Sequence, residues 1–439
     1  MKIQFLTTAD RSEMHGLGET ERMLAGGLSN GKIAAARQMK QMSAAREVVN
    51  YLISTDGRAH NGPAARILAA ASAWAYSDLN TFATVLGAFG LGGEFVAVNV
   101  NNEPSLIDTT AYLFLSGARD ERLGRLAILT FRGTTPSNTL TWLTDANTLM
   151  EPLGEGGRAH GGFLRGGIVL MPFLKALLLG VSEGKTLKQA LKDMKEHGAI
   201  IPKEAFPEHL GKGGSFAEET SGEQSQGEHK PLALYITGHG LGGAFAALTG
   251  AAIHLDPDLA PLQANPQGMA FPQGSMNQQS LGKEQGPGSQ NPQNMTIPNG
   301  LRAVYTFGQP MFADRNLAVV LDGKFGDRMF RHVYRNDVVP RLPPRIAGNF
   351  AHFGREYIDV GGVWVRNQKP LRQAFMSVVG TFIGTMAIIK DMLPISQWMP
   401  LQVAWGDHSP LNYLRISKAQ PSGFATPGDE LGSTVPGLC

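Results

Sequence analysis

The chain has 439 residues, of which 42% are hydrophobic and 17% are charged, enough apolar material for a large core. Its 39 basic and 37 acidic residues give a formal net charge of +2, which argues against nucleic acid as a partner. The only cysteine is Cys439, which excludes an internal disulfide, and the first residues lack the apolar stretch of a signal peptide. We therefore expect a protein that is cytoplasmic or exported without a cleaved secretion signal, and that does not span a membrane.

The first half of the chain alternates between helical and extended patterns. Residues 1–60 are polar and rich in Ala, Met, Arg and Lys, which predicts a helical extension. Residues 64–86 and 163–197 have the composition and spacing of helices. Short apolar runs bounded by turn residues predict strands at 94–100, 111–117 and 126–133.

The second half continues this alternation around a Gly-rich segment. Residues 232–238 predict a buried strand, residues 242–253 a helix of small residues, and residues 303–309 and 330–337 two further strands. Strands that alternate with helices indicate βαβ units and a mostly parallel sheet, so the predicted fold class is α/β.

Two polar segments interrupt this pattern. Residues 203–230 are rich in Gly, Glu and Ser, and residues 256–299 are rich in Pro, Gln, Asn and Gly without an apolar period. Both compositions predict flexible insertions. The predicted organisation is an extension at 1–60, one domain at 61–420 that carries both insertions, and a tail at 421–439.

The segment 232–247 reads LALYITGHGLGGAFAA, a buried strand followed by a Gly-rich turn and a helix. This context is typical of the nucleophile elbow G-x-S-x-G of α/β-hydrolases, except that Gly240 occupies the central position. An alternative is a dinucleotide site, because Gly238, Gly240 and Gly243 have a G-x-G-x-x-G spacing. That alternative lacks the acidic residue expected at the end of a second strand about 20 residues later.

Several motifs, in one order, resemble those of the class 3 (fungal-type) lipases, a family of α/β-hydrolases that act on lipid esters. The resemblance covers residues 64–415, interrupted by the two insertions. The motifs are FRGT at 131–134 with Trp142 and Asp145, HGGF at 160–163, GHGLGGA at 238–244, YTFGQP at 305–310, NDVVPRLPP at 336–344, and Asp407-His408 with Tyr413. In the family the elbow reads GHSLGGA, so Gly240 stands where the resemblance implies serine.

The resemblance implies a Ser-Asp-His mechanism with Gly240 at the nucleophile position, Asp337 as the acid and His408 as the base. This is the chain order of α/β-hydrolase triads. The non-catalytic alternative for Asp337 is a capping or turn residue. For His408 it is a histidine in a surface loop. His352 is a rival base, although it lies in a segment that resembles a structural part of the family.

Two features would complete such a site. The backbone N–H groups of Leu241 and Thr134 are the expected oxyanion donors, although Thr134 also fits an ordinary turn at a strand end. Residues 135–143 resemble a lid that would cover the site with Leu140, Trp142 and Leu143.

Residues 374–389 form a run of 16 residues without a charge, shorter than the roughly 20 residues that a membrane span needs. They predict a helix that either packs over an acyl pocket or core, or docks on a membrane surface.

Taken with the resemblance, these residues predict an esterase for acylglycerols or phospholipids that works at a lipid interface, needs no cofactor or metal, and is impaired by Gly240. Two alternatives remain open: a natural pseudoenzyme that binds lipid or a protein partner, and a phospholipase A1-type toxin or effector.

Overall fold

The computed structural model describes residues 2–7, 47–102, 107–117, 124–133, 150–153, 156–196, 232–256, 259, 300–343, 349–367 and 406–418. Several predicted features lie outside the described residues: Thr134, the lid with Leu140, Trp142 and Leu143, residues 8–46 of the extension, the segment 374–389, the tail 421–439, the insertion 203–230, and the insertion 256–299 apart from Asp256 and Leu259.

The described residues form a central mixed sheet of nine strands. In spatial order these are β1 (Lys2–Thr7), β2 (Gly93–Asn102), β3 (Ile107–Ser116), β4 (Arg125–Phe131), β7 (Leu232–His239), β8 (Gly300–Phe307), β10 (Met329–Val333), β12 (Arg355–Val360) and β13 (Val363–Arg366). Strands β4, β7, β8, β10 and β12 are parallel, and antiparallel pairs complete both sides. The predicted strands around the elbow are confirmed.

A second, antiparallel sheet joins segments that are distant in sequence. In spatial order its four described strands are β11 (Phe350–Ala351), β9 (Ala313–Asp314), β6 (Arg158–His160) and β5 (Met150–Pro152). This small sheet ties the start of the long helix after β6 to the loop after β8.

Helices cover both faces of the central sheet. One face carries α3 (Gly161–Ser182), α4 (Leu187–Glu196), α5 (Leu241–Leu255) and α6 (Arg315–Phe325). The other face carries α1 (Gly62–Trp74), α2 (Leu79–Ala88), α7 (Pro410–Lys418) and the helical residues 47–54. Strands β4, β7 and β8 are buried along their whole length, as expected for parallel strands between two helical layers. The α/β-hydrolase architecture follows from this layering and strand order.

In the structure, each of the two long helical segments predicted from the sequence is divided into two helices. The stretch 64–86 divides because Asp78 accepts hydrogen bonds from the N–H groups of Asn80 and Thr81 and starts α2. Likewise, the stretch 163–197 divides after Ser182, and Gly184 adopts a positive φ of 95° before α4 begins.

The prediction that residues 1–60 are helical is wrong for the first residues. Lys2–Thr7 is a strand that pairs antiparallel with β2. Its Phe5 ring lies against Phe173 of α3, with ring centroids 5.5 Å apart. Strand β2 offers this short stretch a free edge with which to pair. Such a tertiary partner overrides the helical preference that the composition suggested.

Helix α3 is long and apolar enough to cross a membrane by length and composition, and among the described residues it is the one such helix. Most of its residues are buried within the protein, and Leu170, Leu174 and Leu177 belong to the main core. A buried core helix passes the same test, so this helix is explained by packing.

A pair of histidines links the segment before α1 to the sheet. The Nε2 atoms of His60 and His332 lie 3.0 Å apart, and the His60 ring stacks on Tyr357 at 4.1 Å. Burial lowers the pKa of His60 to about 4, and it lowers the pKa of His332 well below its usual value, with His60 adding to the effect. Both imidazoles are therefore neutral in the folded protein near pH 7.

This pair predicts a loss of stability in mild acid. Unfolding returns His60 to a pKa near 6.5, so the unfolded chain takes up a proton that the folded chain refuses. The free energy of unfolding should therefore fall as the pH drops from about 6.5 to about 4. In urea titrations, His60→Gln should reduce this slope by up to about 1.4 kcal/mol per pH unit. An unchanged slope would contradict a neutral, buried His60.

Candidate active site

The elbow joins β7 to α5 through three glycines with different constraints. A Cβ on Gly238 would lie 2.2 Å from the Gly242 carbonyl oxygen, and one on Gly242 would lie 2.3 Å from the Phe131 carbonyl oxygen. Close packing therefore demands glycine at both positions. Gly240 has φ 56° and ψ −124°, a conformation that costs a side-chain-bearing residue energy.

The structure brings Gly240, Asp337 and His408 together. His408 Nδ1 lies 2.7 Å from Asp337 Oδ2, and both side chains are buried. The Nε2 atom of the same ring lies 2.8 Å from the point where a Cβ on Gly240 would be. Asp337 follows β10, and His408 precedes α7, so distant segments converge on the elbow.

Tyr413 holds the Asp337 carboxyl in place, a role that the sequence did not reveal. Its hydroxyl donates to Asp337 Oδ2 and accepts a hydrogen bond of 3.1 Å from the Tyr334 N–H. The Val339 N–H donates to Asp337 Oδ1 at 2.9 Å. Burial, followed by the nearby Asp337, raises the pKa of Tyr413 well above its usual value, so its hydroxyl remains a donor.

Gly308, at the end of β8, provides the surface on which the acid and histidine rest. It has a positive φ of 63°, and a Cβ there would lie 2.8 Å from His408 Cε1 and 2.9 Å from Asp337 Oδ2. Glycine in YTFGQP is thus required both by the backbone and by contact with the pair.

His239 and Tyr76 lie beneath the His408 ring. The His239 ring centroid is 4.4 Å from that of His408, and its Nδ1 is 2.9 Å from the Tyr76 hydroxyl oxygen. Burial, followed by His408, lowers the pKa of His239 well below its usual value, so the ring is neutral. Tyr76 lies in the turn between α1 and α2, where no local motif marks it as part of a site.

Tyr76 also approaches the segment expected to carry an oxyanion donor. A Cβ on Gly133 would lie 2.2 Å from the Tyr76 hydroxyl oxygen and 2.6 Å from the His239 carbonyl oxygen. The residues that follow β4 therefore pack directly against the elbow. Thr134 follows outside the described residues, whereas Leu241 is the first residue of α5, where an N–H has no intrahelical acceptor.

The other predicted histidines and Asp407 have structural contacts. His352 Nε2 lies 2.6 Å from the Pro340 carbonyl oxygen, whereas it is His408 that faces Gly240. His160 is buried beside the rings of Phe163 and Phe350. Asp407 accepts a hydrogen bond of 3.1 Å from the Asn336 N–H, which ties the His408 loop to the Asp337 loop.

This arrangement disfavours the dinucleotide alternative. A pyrophosphate would need the helix N-terminus at Gly240 to be open, but the imidazole of His408 stands over that turn. An imidazole that pairs with a carboxyl through one nitrogen and faces a sharp strand-to-helix turn with the other is the geometry of acyl transfer. Within the described residues, no group of three His, Cys, Asp or Glu side chains is arranged to hold a metal ion.

Comparisons with known proteins also find similarity to lipases. The family model described as Lipase (class 3) matches residues 290–347, which include β8, β10 and Asp337. Triacylglycerol lipase OBL1 of Ricinus communis is 27% identical over 258 residues, 56% of this chain and 40% of that protein. Its counterpart from Arabidopsis thaliana is 26% identical over 262 residues, 55% of this chain and 38% of that protein. The chain thus spans about two fifths of the length of these relatives.

Solved structures of fungal lipases are also similar. Lipase II from Rhizopus niveus gives a TM-score of 0.40 at 18% identity, covering 68% of this chain and 80% of that chain. The lipase from Rhizopus microsporus var. chinensis gives a TM-score of 0.35 at 18% identity, covering 68% of this chain and 74% of that one.

The strand order, the elbow and the buried acid–histidine pair define an α/β-hydrolase with a hydrolase-type site. Within that superfamily, the matched family model and the names of the curated relatives support a likeness to the class 3 lipases.

Tyr413→Phe should destabilise the protein, because it removes a donor from a buried carboxyl and an acceptor from the Tyr334 N–H. We expect the free energy of unfolding to fall by about 2 kcal/mol, measured by urea denaturation. Tyr357→Phe is the matched control, since within the described residues its hydroxyl makes no hydrogen bond. An equal effect of both changes would contradict the role given to Tyr413.

Gly308→Ala should disturb the acid–histidine pair directly. The methyl group meets both partners below van der Waals distance, and the positive φ adds strain of about 1–3 kcal/mol. The downfield NMR signal of the His408 Nδ1 proton should shift or broaden. Gly323→Ala, a change with no heavy atom within 4 Å of the new Cβ, should leave that signal unchanged.

Proposed function

We propose that this chain is built as a carboxylic-ester hydrolase for lipid substrates and that Gly240 deprives it of the attacking oxygen. The proposal is carried by one observation: the buried His408 pairs with Asp337 through Nδ1, and its Nε2 faces Gly240, the central residue of the elbow turn. In a serine enzyme that nitrogen takes the proton of the nucleophile, and the acid stabilises the resulting imidazolium.

The names of the relatives support the proposed substrate class. Both are called triacylglycerol lipases, so acylglycerols are the first candidate and phospholipids the second. The lid residues Leu140, Trp142 and Leu143 and the apolar segment 374–389 are the proposed contacts with a lipid surface. Leu241 and Thr134 are the proposed oxyanion donors.

The competing function is a pseudoenzyme that binds lipid or a protein partner. Gly240 itself favours it, because a triad without its nucleophile loses about 10⁶ in turnover. The two functions differ in whether the rest of the site still supports chemistry once the missing oxygen is supplied.

Gly240→Ser should restore ester hydrolysis by several orders of magnitude, up to about 10⁶-fold. Gly240→Ala is the matched control, since it adds the same Cβ at the same positive φ without the oxygen. Each variant should lose about 1 kcal/mol of stability through backbone strain and through the shift of the His408 ring that the new Cβ requires. Assays should use p-nitrophenyl butyrate, triolein emulsion and phosphatidylcholine vesicles.

Two histidine variants in the Gly240→Ser background identify the base. His408→Gln keeps a hydrogen-bond donor for Asp337 but removes the base, so it should abolish the restored activity. His352→Gln should leave the restored activity unchanged. A folded Gly240→Ser protein that is as inert as Gly240→Ala on all three substrates would refute the enzyme and leave the binding protein. Preference for phospholipid over triolein would select the phospholipase assignment.

A further inference from the structure

The turn between α1 and α2 holds the backbone of Tyr76 in place beside the elbow. The Ser77 hydroxyl donates to the Trp74 carbonyl oxygen at 2.6 Å, and the Ser77 carbonyl oxygen accepts a hydrogen bond of 2.7 Å from the Tyr112 hydroxyl of β3. Asp78 caps α2 from the same turn. The turn is therefore tied to α1, to α2 and to the central sheet, which gives the Tyr76 side chain a rigid support.

The Tyr76 hydroxyl reaches the elbow and the end of β4 at the same time. It lies 2.9 Å from His239 Nδ1, and a Cβ on Gly133 would lie 2.2 Å from the same oxygen. Burial raises the pKa of Tyr76 above its usual value, with Arg132 acting in the opposite direction, so the hydroxyl keeps its proton. A neutral hydroxyl beside the neutral His239 ring forms a hydrogen bond that persists across the neutral pH range.

The His239 ring is the surface against which His408 and Tyr413 pack. Its centroid lies 4.4 Å from that of His408, with the planes inclined by 33°, and 5.5 Å from that of Tyr413, at 65°. Tyr413 in turn donates to the Asp337 carboxyl. Rotation of the His239 ring would therefore disturb the supports of both the acid and the base. The hydrogen bond to Tyr76 resists that rotation.

We propose that Tyr76 is a positioning residue for acyl transfer, because its hydrogen bond to His239 fixes the ring on which His408 rests. This inference rests on the proposed ester-hydrolase function. It adds to that function a residue outside the acid, the base and the oxyanion donors. Tyr76 acts through His239, so its contribution should affect the chemical step and not the binding of the ester.

The kinetic test compares two buried tyrosine hydroxyls in the Gly240→Ser background. Tyr76→Phe deletes the bond to His239. Tyr235→Phe is the matched control, because it deletes a hydroxyl from the same strand as His239 that donates to the Leu52 carbonyl oxygen at 2.9 Å. Both changes should lower the urea midpoint to a similar extent, since each removes one hydrogen bond of the same length.

The two variants should differ in catalysis. With p-nitrophenyl butyrate, Tyr76→Phe should lower kcat about 10-fold at an unchanged KM, because a misplaced base slows the chemical step. Tyr235→Phe should leave both constants unchanged. A loss of kcat in Tyr76→Phe no larger than that in Tyr235→Phe would overturn the inference.

A double-mutant cycle tests whether the effect passes through His239. His239→Leu removes both the ring under His408 and the partner of the Tyr76 hydroxyl, so it should lower kcat by itself. Adding Tyr76→Phe should then change kcat by less than about 2-fold. The inference is wrong if Tyr76→Phe costs as much kcat without the His239 ring as with it.

The unmodified chain provides a readout that needs no activity. Tyr76→Phe should move the NMR signals of the His239 ring nitrogens and shift or broaden the signal of the His408 Nδ1 proton, whereas Tyr235→Phe should leave these signals in place. Unchanged signals in a folded Tyr76→Phe protein would contradict the inference. If the signals move while Gly240→Ser is inert on every ester, the proposed function fails and the positioning of His408 by Tyr76 stands.

Discussion

The close approach of α5 to strands β7 and β4 is the constraint on which the site depends. It leaves no room for side chains at Gly238 and Gly242, and it forces the connecting residue into a backbone conformation with a positive φ. A residue in that turn points away from the packed helix and strand. Position 240 therefore faces His408 whatever residue occupies it.

Parallel strands bring the remaining groups to the same place. The elbow follows β7, Gly308 follows β8 and Asp337 follows β10, and these strands are neighbours in the sheet. Their carboxyl ends meet at one edge, as ligand and catalytic sites of α/β sheets generally do. The last described segment of the chain then adds His408, just before α7, and Tyr413 within α7.

The buried polar side chains of the site have two kinds of role: some support their neighbours, and one is placed to take part in the chemistry. Tyr76, His239 and Tyr413 are neutral because burial penalises their charged forms, and they serve as hydrogen-bond or ring-contact partners. Within the part of the chain that the structure describes, His408 is the histidine that pairs with Asp337 and faces the elbow. A site supported in this way does not need the nucleophile for its own integrity, which explains how Gly240 coexists with an ordered acid–histidine pair.

The sequence determined the features written in local patterns: the buried strands, the elbow turn between β7 and α5, and the order in which position 240, Asp337 and His408 follow one another. Tertiary structure decided what depends on distant contacts. Lys2–Thr7 is extended because β2 offers an edge about 90 residues away in the chain, and the helical composition of the extension could not reveal that partner. Tyr413 meets Asp337 across 76 residues, and Tyr76 meets His239 across 163. No local period encodes such pairs, because they form only when separate strands and helices pack against one another.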